Sequence, residues 1–471
     1  MQIGLLSGVV SNTKADWRTS YPVNYIPVPK DTGVSQGLLR AAPGLTALGA
    51  GGSGIDRGGI NWNGTCYRVM GTQLERVAAD GVVTHIGTIS GAGPVALDYG
   101  PDYLQIVGDE KAWLYDGATL TQITDSDLGA VIDGLWADGY FMFTDGAYLI
   151  VTELNNPFSV DPLKYGSSEA DPDRIVGVLR YRNEVYAFNR FTIEVFDNVG
   201  GSGFPYQRVA SGMIGKGCVG SRAKSLFANT FAWVGSARNE PCSVYVASGG
   251  SAVKIATREV EARLKAYTED ELATAEVEAR ADEVHQHLLI HLPGETLVYD
   301  AATSAVAGEP IWFFLSTGII GADEEPPAYR ARHFTWCYGK WVVGDTEDGR
   351  IGYLDESVIT QYGDVAGGRF DTMMLYNKGR GAIVWSLELV GSTGRALSDG
   401  TPTVFHSYTL DGLSWGQEHT ARMGSSGQTG QRVVFRECGS MQNIRGERFR
   451  TANATPISWS RLEAEMEPLN A

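Results

Sequence analysis

Short phrases that read as a strand, a polar turn and a second strand recur along the chain, and this repetition is the strongest constraint on its fold. One of them, "HLLIHLPGETLVYD" at residues 287–300, places a Pro-Gly turn between two apolar runs, which is typical of a β-hairpin. Successive phrases start 36, 37, 45, 46, 57 and 48 residues apart. The equivalent starting residues are Tyr67, Tyr103, Tyr140, Val185, Phe231, Leu288 and Trp336.

A period of roughly 40 to 50 residues, with about four strands in each unit, is typical of the blades of a β-propeller. In "EVYAFNRF", Val185 and Ala187 alternate with Tyr186 and Phe188, so both faces of this strand carry apolar groups. A lone hairpin is marginally stable in water, so such units stack or close into a ring. We predict an all-β chain with a propeller-like body of about seven blades at residues 46–360. The alternative is a set of unrelated meanders in two or three sandwiches.

The stretch 257–283, "TREVEARLKAYTEDELATAEVEARADE", interrupts the repeat with strongly helical sequence. Val260, Leu264 and Tyr267 are spaced so that they share one helix face. Thr268 followed by Glu271 is a capping-box pattern, which predicts the start of a second helix. We therefore predict one helical insertion between blades, which covers the local core and offers a surface to a neighbour.

The two ends of the chain lack the repeat. Residues 1–45 are extended and irregular, and we expect an N-terminal arm that packs on a partner or latches the ring. After "ITQYGDVAGGRF", longer strand candidates such as "IVWSLELVG" and "TVFHSYTLDGLSWG" follow without the blade period. These candidates predict a C-terminal antiparallel β-sandwich at residues 366–471.

The formal net charge of −17 and the sequence pI of about 4.9 exclude a general basic field for wrapping nucleic acid. An acidic wall would still let a polyanion slide past without sticking. The start, "MQIGLLSGVVSNTK", has no basic leader, and no apolar run approaches the length of a membrane span. The cysteines are odd in number and widely separated, which predicts reduced and mostly buried thiols: Cys66, Cys218, Cys242, Cys337 and Cys438.

Two glycine motifs resemble phosphate-binding loops. "GAGGSG" at 49–54 matches Gly-x-Gly-x-x-Gly literally, but no clear strand precedes it and no helix follows it. "GKG" at 215–217 lacks the rest of a phosphate loop. We interpret both motifs as turns and predict no cofactor.

Three histidines in "HQHLLIH" invite a metal interpretation. On a strand, His285 and His287 would lie about 7 Å apart on one side, whereas His291 would lie roughly 13 Å beyond His287. The three cannot close on one ion without a bend in the strand. Since Leu288 and Ile290 form the apolar face, we predict that the histidines occupy the wetter side of a blade strand and that there is no metal site.

"SYTLDGLSWG", residues 407–416, resembles the aspartate-box turn of sialidases, which is structural even in enzymes. There is one copy, it lies outside the repeats, and no serine triad or His-Glu-x-x-His pattern occurs. The 55 acidic residues form no phrase that suggests general acid-base roles. We predict no catalytic residues and no enzyme activity. A carbohydrate-binding or glycan-cleaving, sialidase-like propeller stays open as the alternative, and a WD-repeat scaffold is a third possibility that lacks the Gly-His and Trp-Asp markers.

Nearly the whole chain resembles the packaged-DNA stabilisation proteins of short-tailed bacteriophages, also called tail hub or nozzle proteins. The densest likeness spans residues 214–304. The phrases that carry the resemblance, in order, are "YPVN" at 21–24, "SQGLLRAAPGL" at 35–45, "CYRVMGTQLERV" at 66–77, "IGKGCVGS" at 214–221, "IATREVEARLKAYTEDELATAEVEA", "HLLIHLPGETLVYD", "TQYGD" at 360–364 and "IRGERFRTANATPISWSRLEAE".

The resemblance implies a homo-hexameric ring in the virion tail, made in the host cytoplasm. Such a ring sits below the portal and its adaptor (head-to-tail connector) ring, extends the DNA channel, and anchors the tail needle or plug and the tail fibres or spikes. It implies a propeller-like body with an attached β-sandwich, without cofactor or enzymatic turnover. It also implies that the ring retains packaged DNA and passes it at ejection without sequence-specific binding.

Overall fold

A computed structural model describes residues 1–14, 16–29, 37–154, 156–169, 171–282, 284–397 and 400–469. Parts of each predicted region lie outside the described residues: 15 and 30–36 of the arm, 155 and 170 of the propeller, 283 of the helical stretch, and 398–399 and 470–471 of the sandwich. The described chain is built from antiparallel β-sheets with three short helices between strands. The sequence prediction of an all-β fold is therefore confirmed.

The N-terminal residues do not form a separate arm, because their strands join the two bodies of the molecule. Strands β1, β4 and β5 enter a sheet of the C-terminal domain, β2 and β3 form a hairpin, and β6 completes the last blade. Their bounds are β1 (Gln2–Ile3), β2 (Gly8–Ser11), β3 (Trp17–Ser20), β4 (Tyr25–Pro29), β5 (Gly37–Ala41) and β6 (Gly44–Ala47).

The described residues contain seven four-stranded antiparallel sheets. Six of them have their strands paired in chain order, and the seventh takes β6 as its fourth strand. The first blade consists of β7 (Asp56–Trp62), β8 (Thr65–Met70), β9 (Gln73–Val77) and β10 (Val83–Thr88). The second consists of β11 (Ala96–Tyr99), β12 (Leu104–Gly108), β13 (Lys111–Tyr115) and β14 (Leu120–Gln122). The third consists of β15 (Asp133–Ala137), β16 (Tyr140–Thr144), β17 (Tyr148–Glu153) and β18 (Asn156–Ser167). The fourth blade consists of β19 (Ile175–Tyr181), β20 (Glu184–Asn189), β21 (Ile193–Asn198) and β22 (Tyr206–Arg208). The fifth consists of β23 (Lys224–Phe227), β24 (Thr230–Gly235), β25 (Ser243–Ser248) and β26 (Ser251–Lys254).

Two helices precede the sixth blade, and a third interrupts it. These elements are α1 (Arg258–Leu264), α2 (Glu269–Ala273), β27 (Glu276–Ala281), β28 (Gln286–His291), β29 (Thr296–Asp300), α3 (Ala301–Ala307) and β30 (Trp312–Leu315). The seventh blade consists of β31 (Ala331–Cys337), β32 (Lys340–Asp345) and β33 (Ile351–Asp355), and β6 is its fourth strand. Thr46 pairs with Tyr353 and Leu45 with Leu354, so a strand from the start of the chain completes the last blade and closes the ring.

The recurring hairpins predicted from the sequence correspond to the second and third strands of the blades, with one exception. Tyr67, Val185 and Leu288 lie in second strands, whereas Trp336 lies in the first strand of its blade. The seventh equivalence is thus shifted by one strand. The cause is the tight turn after Cys337, which joins β31 to β32 and resembles the turns inside the other hairpins.

The predicted helical insertion is correct at its start and differs at its end. The Thr257 hydroxyl caps α1 by accepting from Val260 N, and the capping box of Thr268 and Glu271 starts α2. Residues 276–281, which the sequence assigned to helix, instead form β27, paired along its length with β28. Strand pairing overrides the helix propensity of "EVEARA", because Val277 and Ala279 alternate with charged residues and pack in the core of the blade.

The C-terminal domain consists of two antiparallel sheets. Its strands are β34 (Gly368–Asp371), β35 (Leu375–Tyr376), β36 (Ala382–Gly391), β37 (Thr403–Thr409), β38 (His419–Arg422), β39 (Val433–Arg436), β40 (Ser440–Met441), β41 (Ile444–Thr451) and β42 (Ser458–Pro468). One sheet has the order β39-β36-β42-β5-β4 and the other β34-β41-β37-β38. Between them Trp459, Phe370 and Phe449 form a core together with Tyr25 and Leu39 of the N-terminal strands. The predicted sandwich thus incorporates residues from both ends of the chain.

Candidate functional site

The first strands of all seven blades line one cavity of about 370 Å³. Because every blade contributes to the same cavity, this cavity marks the axis of the ring. Neighbouring first strands pack on one another, and β31 of the last blade packs on β7 of the first. One lining residue from each strand in turn is Gly59, Leu97, Gly134, Leu179, Ser225, Val277 and Phe334.

The charges in this cavity neutralise one another. Lys224 Nζ lies 2.7 Å from Asp133 Oδ2, and that oxygen also accepts from Val178 N at 2.9 Å. Asp98 accepts from Trp136 N at 2.8 Å, and burial raises the pKa of the Asp98 carboxyl. These carboxylates therefore link first strands of adjacent blades and leave little net field for attracting a charged ligand.

A buried ionic cluster joins the last blade to the first and sixth. Arg68 donates to both carboxylate oxygens of Asp56, from Nε at 2.8 Å and from Nη2 at 2.7 Å. His333 contacts Asp56 through Nδ1 and Glu276 through Nε2, the latter at 2.9 Å. Burial alone would lower the pKa of His333, but the two carboxylates raise it to about 10. The imidazolium thus bridges three blades at the closure of the ring.

A second part of this cluster extends across the first strand of the sixth blade. Burial opposes ionisation of Glu276, yet His333 and Arg332 hold the pKa of its carboxyl at about 2. Glu278 accepts from the backbone N–H groups of His333 and Phe334 at 2.9 and 2.7 Å. Glu278 also lies 3.1 Å from His291 Nε2. Burial and the charge of Arg332 lower the pKa of the His291 imidazole to about 4.

Sequence reasoning missed this cluster, although a signal for it was present. Arg68 stands inside an otherwise apolar strand, "CYRVM", and is fully buried in the structure. A charged residue within an apolar strand requires a buried partner. Its partners could not be found from the sequence, since Asp56 is close in the chain but His333 is 265 residues away.

The three histidines of the sixth blade do not occupy a wetter face, so this prediction is wrong. His285, His287 and His291 are all buried. They lie on the face of β28 that packs with Phe313 towards the seventh blade. Both faces of the strand are covered because each blade lies between two neighbours, a consequence of the ring that the alternation in the sequence does not reveal.

The glycine motifs provide close backbone packing. A Cβ on Gly49 would lie 2.2 Å from Gly81 O, and one on Gly51 would lie 2.5 Å from Gly349 O. The loop therefore sits tightly between turns of the first and last blades. A Cβ on Gly217 would likewise meet Phe191 N at 2.3 Å. These contacts leave no room for a phosphate against the glycine backbone.

The aspartate-box-like turn is a structural element of the sandwich. Asp411 accepts from Leu413 N and Ser414 N, both at 2.8 Å, and these bonds lower the pKa of its carboxyl to about 2. The next aromatic residue, Trp415, lies 3.8 Å beneath the guanidinium carbon of Arg448. The turn is thereby tied to the seam between the sandwich and the propeller.

That seam is held by arginine forks. Arg448 donates to both oxygens of Asp371 at 2.7 and 2.8 Å, and also to Ala322 O of the loop after the sixth blade. Arg18 of β3 donates to both oxygens of Glu259 at 2.6 and 2.8 Å. Bidentate pairs of this kind fix orientation as well as distance. The Arg18 fork therefore joins the N-terminal hairpin to the helical insertion, and Ser20 of the same hairpin donates to Asp371 of the sandwich at 2.7 Å.

Four of the five cysteines are buried and all five are free, as expected for reduced thiols. Burial raises the pKa of Cys66 and of Cys218 to about 11, which makes both thiols unreactive at neutral pH. Among the described residues, no helix is long and apolar enough to cross a membrane.

Comparison with known proteins agrees with this architecture. The family model described as Bacteriophage P22 Gp10, beta-propeller, matches residues 1–359, and the one described as Bacteriophage P22 Gp10, beta-sandwich, matches residues 368–467. A curated relative, the tail hub protein gp10 of Salmonella phage P22, is 28% identical over 488 aligned positions, which cover 99% of each chain.

Solved structures that resemble the chain include the Pan2 WD40 domain of Neurospora crassa and Hsv2 of Kluyveromyces lactis. The first is 10% identical with a TM-score of 0.38, and the match covers 67% of this chain and 95% of that one. The second is 9% identical with a TM-score of 0.37, and covers 69% of this chain and 95% of that one. Structural overlaps at this level indicate nothing about the function of the chain.

The chain is a two-domain protein with a propeller and a β-sandwich. The buried polar clusters described above hold its structural elements together. The chain belongs to the Bacteriophage P22 Gp10 family, as the sequence resemblance indicated. The family match does not favour the alternative of a carbohydrate-binding or sialidase-like propeller.

Proposed function

We propose that this chain is a structural protein of the virion, the tail hub of a short-tailed bacteriophage. The observation that carries the proposal is the end-to-end match to a protein named tail hub protein, which includes both domains and leaves neither chain with a long unmatched segment. The interlocked N-terminal strands support it, because they make the propeller and sandwich one mechanical unit.

More specifically, we propose that six copies form a ring below the portal adaptor ring. This ring anchors the tail needle or plug and the tail fibres or spikes, and it passes DNA at ejection. The chain works without catalysis or cofactor and is made in the host cytoplasm before it enters the virion tail. The propeller of residues 46–360 and the sandwich of residues 366–471 would act as one subunit, held together by the described strands within residues 1–45.

The outer strands of the blades are the surfaces available for contact between copies. Leu163 of β18 is 84% exposed, the highest value among the large apolar side chains of the described residues. Pro157 and Pro162 in the same strand exclude extended backbone pairing at this edge. Contact here would therefore be made by side chains.

Native mass spectrometry of the purified chain, alone and with the portal adaptor protein, tests the proposal. We expect a six-copy species that persists or forms on the adaptor, and we expect Leu163→Asp to weaken it at least tenfold. Val306→Asp on α3, at a site 67% exposed and away from any strand edge, is the matched control. A chain that stays monomeric and ignores the adaptor would contradict the proposal.

A further inference from the structure

Two histidines and an aspartate converge inside the sixth blade. His285 directly precedes β28, His287 lies at the start of that strand, and Asp300 ends β29 directly before α3. All three side chains are buried, and one potential ligand atom from each lies within 4.8 Å of the other two. The site is separate from the ionic cluster at the ring closure, which uses His291 and His333.

The potential ligand atoms of the three residues lie close enough together to share one ion. Asp300 Oδ2 lies 2.6 Å from His285 Nδ1 and 3.7 Å from His287 Nε2. The Thr303 hydroxyl contacts the same carboxylate oxygen and lies 3.4 Å from His285 Nδ1. In a tetrahedral zinc site, bonds of about 2.0 to 2.2 Å place ligand atoms roughly 3.3 Å apart, so small rotations suffice here.

Several nitrogen atoms at this site lack a hydrogen-bond partner. They are His285 Nε2 and both ring nitrogens of His287. A buried polar atom without a partner is unfavourable. Of these three, His287 Nε2 lies 3.7 Å from the Asp300 carboxylate, and a cation between them would give it a partner.

We propose that His285, His287 and Asp300 bind one divalent first-row transition-metal ion, with zinc as its representative. Imidazole and carboxylate ligands suit this class of ion. His285 would bind the ion through Nδ1. Its imidazole would stay neutral, with the single ring proton on Nε2 in place of Nδ1. Thr303 Oγ1 or a water would take the fourth position.

The charges around the site act in opposite directions. The Asp300 carboxylate favours a bound cation, whereas the nearby Arg280 and Arg40 oppose one. We therefore expect the site to need all three ligands and to be abolished when one is lost.

The ion would have a structural effect on the blade. Asp300 caps α3 by accepting from Ala302 N and Thr303 N, and α3 packs on β4 of the sandwich sheet. A metal at this point would tie β28 and β29 to α3, and through α3 to the other domain. The inference does not depend on the tail hub proposal.

Metal analysis of the full chain, expressed without a histidine tag in zinc-supplemented medium and dialysed, tests the site. We expect about one zinc per chain for the native sequence, and roughly a tenth of that for His285→Gln and His287→Gln. His291→Gln, on the same strand and face but outside the cluster, should keep about one. Because some variants could misfold, the native chain should also give the visible absorption of four-coordinate cobalt after metal exchange.

A native chain that contains no stoichiometric zinc, and gives no cobalt spectrum after heating and cooling with the ion, would overturn the inference. Equal loss of zinc in the His291→Gln control would overturn it as well, since the metal would then be elsewhere.

Discussion

Single residues in this protein act mainly through buried charge. Asp56 and Arg68 have no exposed side-chain surface, and His333 completes the cluster. A buried pair contributes little net stability relative to apolar residues of the same shape, but removing one partner leaves an uncompensated charge. The closure of the ring therefore depends on each member being present.

Asp56→Asn should lower the free energy of unfolding by about 3–5 kcal/mol, because it leaves Arg68 and His333 without their shared carboxylate. Asp171→Asn is the matched control, since Asp171 pairs with Arg238 at the surface and such pairs contribute roughly 0–1 kcal/mol. Urea unfolding followed by tryptophan fluorescence measures both. A loss below 1 kcal/mol for Asp56→Asn would contradict the role given to the cluster.

The pH dependence of stability should show a maximum near pH 6.5. The pKa of Glu276 is lowered to about 2, so its contribution is present above pH 4.5 and lost as pH falls towards 2. The pKa of His291 is lowered to about 4, so stability is also lost as pH falls from 6.5 to 4. The pKa of His333 is raised to about 10, so its contribution is lost as pH rises from 6.5 to 10.

Urea midpoints measured from pH 3 to pH 10 check this profile. His291→Gln should flatten the limb between pH 6.5 and 4 while leaving the alkaline limb unchanged. An unaltered acid limb in that variant would contradict the assignment of His291 as a buried neutral imidazole.

At the scale of elements, the ring is closed by a strand from the opposite end of the chain. Leu45 of β6 is buried against the last blade and also accepts from Tyr362 N through its carbonyl. Leu45→Ala should cost about 2–5 kcal/mol by leaving a cavity in this blade. Leu226→Ala, at a half-exposed site of the fifth blade, should cost far less. Protease cleavage within residues 44–60 should accelerate in the first variant only.

The elements show which features a sequence predicts and why others escape it. The hairpin period and the capping box that starts α2 follow from local patterns, and the structure contains them at Tyr67, Val185 and Thr268. Strand β27 was taken for helix because its pairing partner decides its conformation. The approach of His287 to Asp300 follows from the predicted hairpin, in which the two residues pair directly across β28 and β29. The burial of His287 depends on the neighbouring blade, which local patterns do not encode.

The whole molecule carries a formal charge of −17 and balances the charges inside its ring. It should therefore not retain double-stranded DNA at physiological salt, because affinity for the phosphate backbone requires a basic surface. Filter binding or mobility shift at 50 and 200 mM salt measures this. Micromolar binding that weakens steeply with salt would indicate a basic surface on the chain and contradict the account.

The central claim is that a propeller ring and a sandwich, interlocked by the N-terminal strands, form one subunit of a symmetric tail hub. Electron cryo-microscopy of the virion tail tests this claim most directly. We predict six copies around the tail axis, each with seven blades and a sandwich that incorporates β1, β4 and β5. Density that shows this chain outside the tail, or as a single copy without rotational symmetry, would contradict the account.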